Sequence, residues 1–416
     1  MLRPTEQMRM KLISLDTIRP AGKPVSRPAL VIPVAVGERE LRLDLFRGLA
    51  LWLIYIDHLP TSVLTWFTIR NYGFSDATEI FIFISGYTAA FVYGRAMGDR
   101  GVIVASARIF KRVWQIYAAH ILLFTIYLAE ISYVATRFEN PLYAEEMNIL
   151  DFFKQPDVAI VQALILKFRP VNMDVLPLYI VLMAFLPLIL LLMRRKPDLT
   201  LLLSVGLYIA TWQFDLTLPS YPDGYWYFNP FAWQLLFVFG AWCALGGAVR
   251  MSRVMSSKIT LAIAIVYLIF SFCVTLTWYI PKLDFLMPGW LEDIIYPIDK
   301  TDLDILRFAH FLALAVLTVY FIPKDWPLLR SKWLRPMVIC GQNSLEIFCA
   351  GVFLAFAGHF IMAEYNGGAW LHLFITVAGI LIMWGIAWMF TWYKGVAEKS
   401  GARQQSANAD LVGGGP

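Results

Sequence analysis

Charge is scarce in this chain. Asp, Glu, Lys and Arg make up 16% of its 416 residues, against 59% for the hydrophobic types, whereas a soluble domain is nearer a quarter charged. That shortage excludes an ordinary soluble domain and points to an integral membrane protein. Cysteine is also rare: Cys243, Cys273, Cys340 and Cys349 all fall inside apolar stretches without CxxC spacing, which argues against a disulfide framework or a zinc site, and no metal site is expected. The first 40 residues are polar and basic and lack the short apolar core of a signal peptide. No internal repeat stands out. The formal charge of +5 follows from membrane topology, and no nucleic-acid partner is read from it.

What the chain has instead is long apolar runs. Stretches of roughly 17 to 25 residues can cross a bilayer at about 1.5 Å per residue. They occur near 45–66, 77–97, 113–136, 175–193, 198–213, 230–250, 258–280, 304–322, 337–361 and 370–394, of which 198–213 is the shortest. The sequence therefore predicts an all-α polytopic membrane protein of about ten transmembrane helices. A basic arm over 1–40 and a tail over 397–416 are expected to be disordered, flanking a transmembrane domain over 41–396.

Lys and Arg set the orientation, because short loops rich in them stay in the cytoplasm. The arm and the even-numbered connections carry them, as in Arg108/Lys111/Arg112, Arg194/Arg195/Lys196 and Arg250/Arg253/Lys258, whereas the odd connections carry acids such as Glu145, Asp223 and Asp299. Both termini are expected inside.

The stretch RGLALWLIYIDHLP, residues 47–60, is apolar except at its ends, and ionisable groups in hydrocarbon cost several kcal/mol unless paired or wet. Eleven residues is close to three helical turns, so Arg47 and His58 share a face about 16 Å apart, along with Asp44, Leu51 and Ile54. Adjacent residues do not face each other on a helix, but Pro60 disfavours helical geometry at Leu59, which would let Asp57 turn toward His58. An Asp-His pair capping a helix near the interface is the plainer reading. In SDATEIFIFISGY, Asp76 and Glu79 lie three apart and could serve the helix dipole; Glu79 sits a turn deeper. Ser85 and Gly86 either allow close helix approach or place a hydroxyl on a substrate path.

These residues carry a resemblance. Asp44, Arg47 and His58 in a D-x-x-R-x10-H arrangement, followed by Ser85-Gly86-Tyr87, resemble the opening of the transmembrane acyltransferase-3 superfamily. RGLALWLIYIDHLP, RNYGFSDATEIFIFISGY, NMDVLPLYIVLM and GQNSLEIF, within residues 41 to about 395, resemble the OpgC family of succinyltransferases that modify periplasmic glucans. The resemblance implies transfer of a succinyl group from cytoplasmic acyl-CoA to a glucan hydroxyl across the bacterial inner membrane, with succinyl-CoA as co-substrate and no permanently bound cofactor. His58 would be the general base, since an imidazole titrates near neutrality, and Asp57 or Glu79 would orient it. Oligomeric state is not legible.

Other candidates follow from that chemistry. Arg108, Lys111 and Arg112 share one face at the start of the third helix and would clamp the CoA phosphates, although positive-inside bias alone puts cations there. Arg47 would meet the donor's free carboxylate unless Asp44 holds it; Ser85 and Glu346 are further donor contacts. Asn172, Asp174, Gln234 and Trp226 are acceptor candidates; Asp174 could instead cap the fourth helix, the resemblance favouring the sugar contact, and Tyr225, Trp226, Tyr227 and Trp233 read first as an interfacial belt and only second as a sugar platform. The rival class is a proton-coupled transporter, because intramembrane Asp, Glu and His also form proton relays.

Overall fold

The computed structural model describes residues 40–413 except 60, 61, 141 and 366; the side chains of 284 and 398–413 lie outside the description. The arm before residue 40 and the bend expected at Pro60 also lie outside the described residues. Within them the protein is helical, without a β-strand. The main helices are α1 (Leu41–Asp57), α2 (Ala77–Arg100), α3 (Val102–Arg137), α4 (Val175–Arg195), α5 (Pro197–Phe214), α6 (Pro230–Met255), α7 (Lys258–Tyr279), α8 (Ile305–Phe321), α9 (Arg335–Gln342), α10 (Ser344–Glu364) and α11 (Gly368–Gly413). Short helices fill the α3–α4 connection.

A helix occupies each of the apolar runs. Seven are long and apolar enough to cross a membrane, namely α2, α3, α4, α6, α7, α10 and the first thirty residues of α11, while α8 is apolar but shorter. The structure departs from the sequence reading at two places, the first of which has a local cause. The run 337–361 is broken at Asn343, whose φ/ψ of −115°/43° is not helical. Its amide donates to Ile339 O and Thr391 Oγ1 and its Oδ1 accepts from Lys394 Nζ, so the side chain ties the break to α11. The helix α11 continues through residues 397–413, where composition alone favoured disorder.

Helix starts are set by side chains that satisfy the orphan N–H groups of a first turn. Asp76 accepts from Thr78 N and Glu79 returns to Asp76 N, a reciprocal capping box. Asn229 caps α6 through Phe231 N, with Pro230 in the first position. Asp304 caps α8 through Leu306 N.

Two glycine pairs fix the crossings around α1 and α2. A Cβ at Gly86 would overlap Phe237 O on α6, and one at Gly240 would overlap Phe83 O on α2. Likewise Gly48 on α1 lies against Met337 O, and Gly341 on α9 against Asp44 O. Backbones can meet this closely only where no side chain intervenes. Gly86 thus serves helix approach, and Ser85 beside it is buried.

Candidate active site

The ends of α1, α4, α7 and α8 and part of α10, with the loops that precede α2, α4, α6 and α8, enclose a partly open cavity of about 1230 Å³. Its wall is mixed. Leu51, Ile54 and Tyr55 of α1 and Ile347, Phe348 and Val352 of α10 form an apolar floor, while Asp57, His58, Arg70, Asp76, Lys300 and Arg307 form one charged side.

His58 follows the last residue of α1 and is half-buried on this wall. Its Nδ1 lies 2.6 Å from Ile54 O, one turn back. A carbonyl only accepts, so Nδ1 carries the proton and Nε2 carries the lone pair. A backbone carbonyl thereby performs the orienting task that the sequence reading gave to Asp57 or Glu79. Asp57 also lines the cavity, but its Oδ1 is buried without a hydrogen-bond partner among the described residues, and its backbone carbonyl accepts from Arg70 Nη1 at 3.4 Å.

Glu79 is fully buried and off the cavity wall. Its Oε1 takes both Arg307 Nη2 at 2.6 Å and Arg307 Nε at 2.9 Å, and its Oε2 accepts from Asp76 N. Asp76 in turn holds Lys300 Nζ at 2.6 Å and Arg307 Nη2 at 3.3 Å. Two acids and two cations form a hydrogen-bonded network, which is how buried ionisable groups are tolerated. Burial opposes the charge on Asp76, but Lys300 and Arg307 outweigh it and hold its carboxyl far below the usual range. Burial likewise opposes the charge on Lys300, and Asp76 and Glu79 raise its ammonium above the ordinary value.

Across the cavity, Arg169 organises the acceptor candidates. Its Nε donates to Asp174 Oδ1 at 2.8 Å, Nη1 to Leu166 O and Nη2 to Ser220 Oγ at 3.1 Å, and its guanidinium lies 4.4 Å over the Trp226 ring. Asp174 makes no side-chain cap to α4; burial pushes its carboxyl up, against the opposing pull of Arg169. Asn172, in the left-handed region at φ 71°, and Asp174 both line the cavity. Trp226 does not: it is buried beneath Arg169, while its neighbours Tyr225 and Tyr227 are exposed and on the wall. Gln234 is also off the wall, bonded to Ser204 between α5 and α6.

The donor candidates are not gathered here. Arg47 is buried, with Nη2 on Ile84 O and Thr88 Oγ1, and lies below the cavity floor. The face that Arg47 shares with His58 passes Leu51, which is 2% exposed and lines the cavity floor between them. Arg108 and Lys111 are exposed, Arg112 bonds Gln115, and Glu346 is half-buried; none of these lines the cavity.

Arg70, Lys300 and Arg307 were missed by the sequence reading. Arg307 had a signal, being a cation in the apolar run of α8. Lys300 had none, since only the fold brings it to Asp76, 224 positions away. His310, on the same helix, is held by Ser75 Oγ at 2.7 Å and packs against Gly73, outside the charged network.

A helical membrane bundle with a charged, half-open cavity at one end, carrying a histidine with a fixed tautomer, is the class that these features define. The chain belongs to the OpgC family: the model described as OpgC protein matches residues 39–395. No curated protein and no solved structure matches it.

Proposed function

We propose that this protein is an O-succinyltransferase of the acyltransferase-3 superfamily. It lies in the bacterial inner membrane with ten crossings and both termini cytoplasmic, and it transfers succinyl from succinyl-CoA to a hydroxyl of a periplasmic glucan. Membership of the OpgC family favours this substrate pair. The observation that carries the chemistry is the 2.6 Å contact of His58 Nδ1 with Ile54 O on the wall of a cavity large enough for sugar residues.

In this reading the glucan enters between Asn172, Asp174, Tyr225 and Tyr227, where carboxylate and amide groups hydrogen-bond its hydroxyls and the exposed rings lie against its apolar faces. A bound hydroxyl gives its proton to His58 Nε2 as its oxygen attacks the thioester carbonyl. The carbon–sulfur bond breaks, the imidazolium returns the proton to the departing thiolate, and an ester and free CoA result. Arg108, Lys111 and Arg112 hold the CoA phosphates at the cytoplasmic mouth. The pantetheine arm of CoA, when extended, is comparable in length to the ~16 Å between Arg47 and His58 along α1. To reach His58 it passes the floor, so Leu51 and Phe348 must part, and Ser85 and Glu346 touch the donor only along that lower path.

Mass spectrometry of glucans from cells with and without the gene tests the proposal. Succinyl substituents present only with the gene support it. Unchanged glucans, with a proton-coupled solute flux instead, would favour a transporter.

A further inference from the structure

A succinyl donor carries a free carboxylate, and an anion entering a partly dry cavity needs a cation to receive it. Among the described residues four Lys or Arg side chains line this cavity: Arg70, Arg169, Lys300 and Arg307. Three are spent. Arg169 is occupied by Asp174, Leu166 O, Ser220 and the Trp226 ring. Lys300 and Arg307 are matched by Asp76 and Glu79. Arg70 differs: its one hydrogen bond among the described residues goes to the backbone carbonyl of Asp57 at 3.4 Å, and its charge reaches the Asp57 carboxyl without a salt bridge forming between them.

Arg70 is also placed for the task. It is exposed, so a ligand need not strip it from a buried partner. Its turn, Ile69–Asn71, is pinned on both sides, because Asn71 donates to Thr65 O at 2.6 Å and accepts from Tyr279 Oη at 2.6 Å. Through Asp57 O it is tethered one residue from His58.

The direction of approach completes the argument. When an acyl-CoA threads from the Arg47 side toward His58, the acyl group leads and its free acid lies beyond the reacting carbonyl. The receiving cation must then stand on the far side of His58. Arg47 stands on the near side and is already bonded to Ile84 O and Thr88.

We infer that Arg70 binds the free carboxylate of the acyl group and so selects a dicarboxylic monothioester over a neutral one. The inference rests on the acyltransferase reading above. Its test separates the two by measuring binding as well as turnover, with succinyl-CoA and acetyl-CoA as probes on the purified full-length protein. Wild type is expected to bind and use succinyl-CoA in preference to acetyl-CoA. Arg70→Ala is expected to lose about 10- to 100-fold in kcat/KM and in affinity for succinyl-CoA, with acetyl-CoA little affected. Arg70→Lys, which keeps the charge but loses the bidentate fork, should fall between. Equal losses for both donors, or no loss for either, would overturn the assignment, as would a wild type that binds the two donors equally. A wild type that discriminates in binding but releases no CoA would support the assignment while refuting the transfer reaction.

Discussion

His58 Nδ1 lies 2.6 Å from Ile54 O, a contact within one turn of the same chain that fixes which ring nitrogen can act as a base. Because the orienting group is backbone, no side-chain substitution can remove it while His58 is present. Asp57→Asn and Glu79→Gln should therefore leave the tautomer at His58 unchanged, as read by ¹⁵N chemical shifts of labelled histidine. A switch to the Nε2–H form in either variant would show that a carboxylate orients the ring.

A histidine base must be neutral to accept a proton. Transfer should therefore fall on the acid side as the imidazole charges and flatten toward higher pH. His58→Gln should lower the rate by about 10²- to 10⁴-fold and remove that acid limb from what remains. A limb that persists in the variant would belong to another group.

Arg307 balances two buried acids through contacts of 2.6 Å and 3.3 Å. Arg307→Ala should destabilise the protein by about 3–5 kcal/mol, because it leaves Glu79 and Asp76 short of a cation. Adding Glu79→Gln should recover part of that loss, which thermal unfolding in detergent would read. A single variant as stable as wild type would show that the network carries little.

The same network sets limits in pH. Asp76 has a depressed folded value, so its contribution is present above its unfolded value and is lost as pH falls through the folded one. Lys300 has a raised folded value, so its contribution is complete below the ordinary 10.5 and is lost as pH rises through the folded one. Lys300→Met should flatten the alkaline side of a stability–pH profile and leave the neutral region lower.

Leu51 forms the cavity floor between His58 and Arg47. Leu51→Trp should close the lower path, lowering CoA release and donor binding while sparing glucan binding, with Leu51→Met as the conservative control. Undiminished turnover in the Trp variant would place the donor's route elsewhere.

Much of the fold was legible because hydropathy is local: every apolar run holds a helix, and Asp76 and Glu79 open α2 as the dipole reading expects, although their reciprocal capping box was not read. The family was legible from short motifs, and its match spans residues 39–395. The break at Asn343 was not, because it depends on Thr391 and Lys394 of another helix. Within the site, His58, Asp57, Asn172 and Asp174 do reach one cavity. The partner of His58 was invisible because any residue at position 54 would offer the same carbonyl. Trp226 illustrates the other limit: sequence identifies an aromatic cluster but not which ring turns inward beneath Arg169 and which two remain on the wall.

The most direct measurement is CoA release by the purified protein given succinyl-CoA and glucan, with the glucan then weighed by mass spectrometry. Wild type should release one CoA for each succinyl ester gained, and His58→Ala, folded and still binding both substrates, should do neither. Near-normal ester formation by His58→Ala would remove the imidazole from the chemistry.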